Sequence, residues 1–305
     1  MEQLIQKIRE LKMNKKVLVL GAAVIDMIIE FDRLPKSGED VAADQKESIV
    51  GGCAYNVSGT LNYLNLNHDL GVPVGKGHFA ETIRKQLKED GIDILIEDES
   101  QDNGWCLSIV EKDGERTFIT MAGLETHWKS EWFHSIDIGD YDFIYVNGYE
   151  VEGSGEVILK ALEKKKETCK IIFDPSPRVG FIDQATLTKL LSMGTIIHLN
   201  HAELKSLTKE NDLQQALKRA FDMTCEPVIV TLGAEGTIYY TENESELVPT
   251  KKVTVVDTIG AGDSHTGGLI AGLTAGLSLG ESCELGNQLA NIIVQQQGGK
   301  LGLNQ

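Results

Sequence analysis

The sequence has no long hydrophobic run and no excess of basic residues. None of its apolar stretches approaches the ~20 residues that a membrane helix needs, so we predict no membrane segment. Its 29 Lys and Arg residues against 46 Asp and Glu residues give a formal net charge of −17. This acidic balance argues against nucleic acid and anionic membranes as partners. A nucleotide ligand is still compatible with this net negative charge, because a local anion-binding turn and a bound divalent cation can outweigh the electrostatic field of the whole protein.

Cysteine is scarce, and no two cysteines form a Cys-x-x-Cys pair. The five are Cys53, Cys106, Cys169, Cys225 and Cys283. This usage excludes a disulfide scaffold and is typical of a reducing cytoplasm. Residues 1–16 carry charges throughout, so we expect no secretory leader and a cytoplasmic location. A Walker A motif is missing too, because Gly75-Lys76 lacks both the spacing and the following Ser or Thr.

The sequence does contain five short, nearly continuous aliphatic runs, and each of them ends in Gly, Asp or Asn. They lie at 16–21, 142–148, 170–174, 195–200 and 227–233. Continuous apolarity predicts strands that are buried on both faces, and the helical patterns between them predict a parallel sheet in an α/β fold. Such sheets bind their ligands at the carboxyl edge of the strands.

Two parts of the chain depart from this pattern. Residues 1–12 have the period of an amphipathic helix, which we predict to be an appendage to a single domain over 13–305. The regions 27–50 and 105–120 show short alternating patterns, and Asp113-Gly114 is a hairpin signal. We predict antiparallel strands outside the main sheet that form a small lid over its carboxyl edge.

The most informative segment is Val256-Asp257-Thr258-Ile259-Gly260-Ala261-Gly262-Asp263. It predicts a strand over 253–256, a glycine turn, and then a helix to about residue 277. The first turn of a helix has amides without internal partners, and Gly260 and Gly262 leave room for an anion beside them. A carboxylate at the same place suits the proton of a hydroxyl that attacks a phosphate, which predicts Asp263 as a general base. The alternative interpretation is an ordinary turn with an N-capping Asp.

This segment resembles the signature D-T-x-G-A-G-D of the ribokinase-like (PfkB) carbohydrate kinases. The resemblance implies a three-layer α/β/α fold with a central, mostly parallel sheet and a small β-sheet lid. It implies transfer of phosphate from ATP with Mg²⁺, with Asp263 as the base and Gly260, Ala261 and Gly262 as the anion hole. It also suggests a monovalent cation, K⁺, beside Asp257 and Ile259.

A second motif resembles the acceptor-binding signature of the same family. Gly51-Gly52 followed by Asn56 opens a helical pattern, and Asp26 lies upstream, just past the first predicted strand. The resemblance implies that these residues grip hydroxyl groups of the acceptor, for which carboxylate and amide side chains are suited. A turn Asp and a helix-capping Asn are the alternative. Trp105 is a further candidate, because its ring could stack on a sugar face or a base.

Two more motifs resemble the nucleotide and metal positions of the family. Asn200 and Glu203 match an N-x-x-E motif that places Mg²⁺ through water, which suits a cation that retains its waters; the alternative is a capping Asn with a solvated Glu. Thr231, Gly233 and Gly236 match the nucleotide turn, and Asn287 completes the predicted nucleotide set.

Because several residues within these motifs differ from those of ribokinases, the motifs do not determine the identity of the acceptor. Val24, Cys53, Tyr55 and His265 stand where ribokinases usually have other residues. We therefore predict a sugar kinase with a small-molecule acceptor rather than a ribokinase in particular. A nucleoside kinase, including one of the pseudouridine type, and a non-catalytic sugar sensor stay as alternatives. Pairing of two lids into a homodimer is a further expectation, because an exposed edge strand favours such pairing.

Overall fold

The computed structural model describes residues 2–12, 14–31, 33–42, 44–111 and 116–302. Its α-helices, in chain order, are α1 (Glu2–Glu10), α2 (Cys53–Tyr63), α3 (His78–Glu89), α4 (Gly148–Leu162), α5 (Gln184–Leu191), α6 (His201–Thr208), α7 (Leu213–Thr224), α8 (Ala261–Thr274) and α9 (Leu279–Ile293). Its strands are β1 (Val17–Leu20), β2 (Val24–Phe31), β3 (Asp44–Gly51), β4 (Asp69–Gly71), β5 (Pro73–Val74), β6 (Ile96–Glu97), β7 (Trp105–Glu111), β8 (Arg116–Met121), β9 (Phe143–Asn147), β10 (Lys170–Asp174), β11 (Thr195–Asn200), β12 (Val228–Thr231), β13 (Gly236–Tyr240) and β14 (Ser245–Pro249).

The central sheet has the strand order β14-β13-β12-β11-β10-β9-β1-β4. The strands from β12 to β4 are parallel, and β13 and β14 add an antiparallel edge. In β1, Val17 and Val19 join an apolar core with α2, α8 and α9, whereas Leu18 and Leu20 join a second core with α4 to α7. Because strand side chains alternate between the faces, these cores are the two interfaces of a three-layer α/β/α fold. The predicted fold class is therefore confirmed.

The predicted central strands are all present, but the sequence pattern missed three others. β4 is three residues long, and β13 and β14 form a hairpin whose first residue, Gly236, had been assigned to a turn. The strand predicted over 253–256 is wrong. Val255 and Val256 are more than half exposed, and the Val256 N–H donates to the Val294 carbonyl at the end of α9 (2.7 Å). These valines therefore do not face a core, and the segment is irregular.

The lid is a separate sheet with the order β3-β2-β7-β8. Its outer pairs are antiparallel as predicted, but β2 and β7 at its centre are parallel, which corrects the expectation of an antiparallel sheet. An alternating pattern shows which residues share a face but not which strand is the neighbour. The lid also begins at Val24, so Asp26 lies inside β2 rather than in a turn after β1. Asp113-Gly114 lies outside the described residues.

Helix α1 packs against the end of α2. Ile5 and Ile8 are buried in the same core as α2, and the Arg9 guanidinium lies 4.3 Å from the centre of the Tyr63 ring while its Nε donates to the Tyr63 carbonyl (2.7 Å). The predicted helix at the N-terminus is therefore docked on the fold. Within the described part of the chain, no helix is long and apolar enough to cross a membrane.

Candidate active site

The glycine turn before α8 is held open by two different glycines. Gly260 precedes the helix with φ +74°, and a Cβ on it would lie 2.4 Å from the Gly299 carbonyl oxygen. Only glycine fits there without strain. A Cβ on Gly262 would meet nothing within 4 Å, so the space beside this residue is open. One amide of the predicted anion hole is already engaged, because the Ala261 N–H donates to the Thr258 carbonyl (3.2 Å).

Asp263 lies in the first turn of α8 and is partly buried. Its Oδ2 accepts a hydrogen bond from Asn56 Nδ2 (2.8 Å), which joins the two halves of the predicted site. Burial raises the pKa of Asp263 to about 7, with the charge of Asp174 adding to the shift and hydrogen bonds from Asn56 and Cys53 opposing it. A carboxylate with this pKa is a better proton acceptor near neutral pH than an ordinary Asp.

Asp26 faces the same region from the lid strand β2. A Cβ on Gly51 would lie 1.9 Å from Asp26 Oδ2, so the carboxylate occupies the space that glycine leaves free. Gly52 has φ +105° and lies against the Ala22 carbonyl, which allows the tight turn into α2. Burial raises the pKa of Asp26 to about 6. A partly buried carboxylate of this kind can accept a hydrogen bond from a ligand hydroxyl.

A cavity of about 280 Å³ is lined by three of the predicted acceptor residues, Asp26, Gly51 and Asn56, but not by Gly52. Its walls are the lid edge at 47–51, the start of α2, one side of α3 and the segment 297–300, with Asp26 and Asn56 among the lining residues. Trp105 is not among them; its ring lies 6.1 Å from that of Phe79. The contributions of α3 and of 297–300 were missed, because no local motif marks them.

The predicted metal residues form a capping box at the start of α6. Asn200 Oδ1 accepts from the Glu203 N–H (2.9 Å), and Glu203 Oε2 accepts from the Asn200 N–H (2.8 Å). This is the alternative interpretation of the motif, yet it engages only one oxygen of Glu203. Burial and the charge of Asp174 raise the pKa of Glu203, so a cation beside this carboxylate would be favourable. Among the described residues, no cluster of three or more His, Cys, Asp or Glu forms a metal site of its own.

The predicted nucleotide turn follows β12, with positive φ at Gly233 (+58°) and Gly236 (+109°). Thr231 is the last residue of that strand. Asn287 is farther inside: its Oδ1 accepts from Thr237 (2.8 Å) and its Nδ2 donates to the Val248 carbonyl (3.0 Å). Its polar groups are therefore engaged within the protein, although it also lines a small cavity of about 90 Å³ beside β14.

The predicted monovalent-cation residues meet the segment that follows α9. Asp257 is buried, and its side chain accepts from the Ile259 N–H (2.9 Å) and the Gly298 N–H (3.1 Å). The carboxylate thus fixes the backbone of both segments. This contact could not be predicted, because 41 residues separate Asp257 from Gly298.

Two buried polar features were also missed. Glu150 at the start of α4 lies against Gly21, its Oε2 has no hydrogen-bond partner among the described residues, and burial raises its pKa to about 8. The second feature begins at His265, which lies within hydrogen-bond distance of His198 (2.9 Å) and Thr237 (2.7 Å). His198 in turn contacts Asp174 (3.1 Å), so polar side chains cross the interior from β13 to the carboxyl edge.

Comparison with known proteins identifies close relatives of the whole chain. The family model described as pfkB family carbohydrate kinase matches residues 14–305. A protein named uncharacterized sugar kinase YegV, from Escherichia coli strain K12, is 36% identical over 295 residues, which cover 95% of this chain and 92% of that protein.

Solved structures share the fold at lower identity. The ribokinase of Thermotoga maritima matches with a TM-score of 0.83 at 23% identity, covering 93% of this chain and 94% of that one. The adenosine kinase of Sinorhizobium meliloti matches with a TM-score of 0.81 at 22% identity, covering 94% and 96%. These structures show a common architecture for enzymes with sugar and nucleoside acceptors.

Proposed function

This chain belongs to the pfkB family of carbohydrate kinases, which phosphorylate a hydroxyl group, and we propose that it transfers the γ-phosphoryl group of ATP to a hydroxyl of a small carbohydrate. The observation that carries this proposal is the hydrogen bond between Asn56 Nδ2 and Asp263 Oδ2 (2.8 Å). It joins the acceptor loop to the helix whose first turn would hold the phosphate.

In the proposed reaction, Asp263 accepts the proton of the attacking hydroxyl. The hydroxyl oxygen forms a bond to the γ-phosphorus, and the bond between that phosphorus and the ADP oxygen breaks. Asp26 and Asn56 orient the acceptor, while the amides of Gly260, Gly262 and Asp263 stabilise negative charge on the phosphoryl oxygens. The lid excludes water, which would otherwise compete as the acceptor.

Family membership implies ATP and Mg²⁺, and the residues of the chain suit both. Glu203 offers a partly desolvated carboxylate, and Asn200 lies beside it, which supports the proposal that the two residues hold the waters of Mg²⁺. When bound, the metal would offset phosphate charge. Thr231, Gly233 and Gly236 would contact the nucleotide, with Asn287 supporting the wall of its site.

We further propose a K⁺ site at the backbone of Asp257 and Ile259. The test compares the rates of phosphoryl transfer in K⁺, Na⁺ and a bulky organic cation, and equal rates in all three would contradict the site.

A nucleoside kinase is the second candidate. The shared fold with an adenosine kinase supports it, and so does Trp105 at the start of β7, whose ring could stack on a base. A sugar sensor is disfavoured, because a mere binding site has no use for a proton acceptor beside its anion hole, and the ionised form of Asp263 would repel a bound phosphate. The proposed cellular setting is the cytoplasm. The proposed lid-mediated dimer would cover Phe118 and Met121 on β8, which are about half exposed.

The test is a coupled assay that measures ADP release across a panel of sugars and nucleosides. We expect one or more neutral sugars to give acceptor-dependent ADP release. A preference for nucleosides would establish the second candidate instead. Binding of a sugar without acceptor-dependent ADP release would leave only the sensor.

A further inference from the structure

The segment after α9 crosses the active site and is held at both ends. We call residues 294–300 the C-terminal strap. At its start, the Val294 carbonyl accepts from the Val256 N–H (2.7 Å), and near its middle the Gly298 N–H donates to Asp257 Oδ2 (3.1 Å). At its end, the side chain of Gln296 donates to the Lys300 carbonyl (2.8 Å). The strap is therefore a fixed part of the site although it lacks regular secondary structure.

Gly299 of the strap lies between the two catalytic segments. A Cβ on Gly299 would lie 2.9 Å from Asn56 Nδ2 and 3.0 Å from the Ile259 side chain. From the other side, a Cβ on Gly260 would lie 2.4 Å from the Gly299 carbonyl oxygen. Close contact on both sides means that a shift of the strap would move Asn56 or the anion-hole turn.

Lys300 anchors the strap through a buried group of three side chains. Its Nζ donates to Asp90 Oδ2 (2.5 Å) and to the Tyr55 hydroxyl (2.8 Å), and Tyr55 itself donates to Asp90 Oδ2 (2.6 Å). The Asp90 side chain is only 6% exposed and that of Lys300 is 25% exposed. We call Lys300, Asp90 and Tyr55 the Lys300 clasp. Inside the fold, each charge of the pair is offset by the other.

The clasp also determines the charge of the acceptor cavity. Among the described lining residues, Lys300 is the one cation, and Asp90 already pairs with it. Asp26 and Glu47 contribute negative charge to the same cavity, and the α3 side offers Thr82 and Gln86. An anionic group that entered would find hydroxyls and amides but no uncompensated positive charge, so its desolvation would not be offset.

We propose that the Lys300 clasp is a specificity element, which fixes the strap as the far wall of the acceptor cavity while it withholds the lysine charge from the acceptor. The site then takes uncharged polyhydroxy acceptors and rejects sugar phosphates and sugar acids. This inference rests on the proposed kinase function. Lys300 and Asp90 act as positioning residues, since they touch the wall rather than the reacting atoms.

The experiment compares wild type with Lys300→Met, Asp90→Asn and the matched surface control Lys252→Met. ADP release is measured with the best neutral sugar of the panel, with gluconate and with ribose 5-phosphate. For wild type, we expect kcat/KM to favour the neutral sugar by about a hundredfold or more. Lys300→Met should raise the KM of the neutral sugar by about tenfold and leave that of ATP within about twofold, because Lys300 lines the acceptor cavity, whereas the strap is still held beside the anion-hole turn by the bond from Gly298 to Asp257.

Asp90→Asn is the sharper variant, because it preserves shape and uncovers the lysine charge. It should shift the ratio of kcat/KM values by about tenfold towards gluconate. Lys300→Arg, which keeps the charge pair, should retain the preference for neutral sugars even if Lys300→Met does not fold.

Three results separate the possible failures. A wild type that uses gluconate or ribose 5-phosphate as well as neutral sugars would overturn the inference. So would an Asp90→Asn variant that loses activity on all acceptors in parallel, with the ATP KM rising too, since that pattern marks a merely structural clasp. A wild type that phosphorylates no acceptor would refute the proposed function itself.

Discussion

The two sides of the active site are built in different ways. The phosphoryl side is one continuous stretch, in which the turn at 257–260 runs directly into α8 and Asp263. The acceptor side is assembled from the lid strands, α2, α3 and the strap, which are far apart in sequence. In the proposed mechanism, the residues of the chemical step are therefore adjacent in sequence, while those that would select the acceptor are brought together by tertiary packing. A fold of this kind can change its substrate without changing its reaction.

The largest effect should come from removing the proposed base, Asp263, on the phosphoryl side. Asp263→Asn keeps the side-chain shape and an oxygen for Asn56 but cannot accept a proton. We expect kcat to fall by about a thousandfold or more, with ATP affinity unchanged. Steady-state kinetics and nucleotide titration check this, with the exposed Asp222→Asn as the control. Near-normal turnover would refute the role of Asp263.

A smaller effect is expected on the acceptor side from Gly51→Ala. The new methyl group would occupy the position of Asp26 Oδ2, so this carboxylate must rotate away from the cavity. We predict that kcat/KM for the acceptor falls by about tenfold to a hundredfold, while the KM for ATP changes by less than about twofold. Gly180→Ala is the matched control, because a Cβ there meets nothing within 4 Å. Equal losses of kcat/KM for the acceptor and for ATP would contradict this prediction, because Asp26 would then not act on the acceptor side alone.

The pH profile separates the two carboxylates. Because burial raises the pKa of Asp263 to about 7, this group is protonated and inactive as a base below that pH. We expect kcat/KM to fall about tenfold per pH unit below 7, and more steeply below 6, where Asp26 is protonated as well. A profile from pH 5 to 9 tests this. A single acid limb near pH 4 would show that Asp263 behaves as an ordinary exposed Asp.

The smallest effect concerns Trp105 at the edge of the lid. Its ring lies against Phe79 at the start of α3, so its truncation should loosen the packing of the lid against α3, one side of which lines the acceptor cavity. We predict that Trp105→Ala raises the acceptor KM by about threefold to tenfold, more than it raises the ATP KM. Leu247→Ala, at an exposed position on the edge strand β14 of the central sheet, is the control. An unchanged acceptor KM would remove Trp105 from the acceptor side.

The sequence predicted the parallel core and the glycine turn into α8 because both are local patterns. Continuous aliphatic runs marked the buried strands, and Gly260 to Asp263 are adjacent in the chain. It could not predict the parallel pairing of β2 with β7, since periodicity carries no information on neighbours. The ion pair between Lys300 and Asp90 could not be predicted from the sequence for a similar reason, because 210 residues separate the two. Burial, which sets the pKa of Asp263, is likewise a property of the fold alone.

The most direct test of the account is the stoichiometry of the reaction. Wild-type protein is incubated with ATP, Mg²⁺ and the best acceptor of the panel, and the products are quantified by mass spectrometry and phosphorus NMR. The account predicts a phosphate monoester of the acceptor in equal amount to ADP, and neither product in excess of background with Asp263→Asn. ADP accompanied only by inorganic phosphate, with the acceptor unmodified, would contradict it.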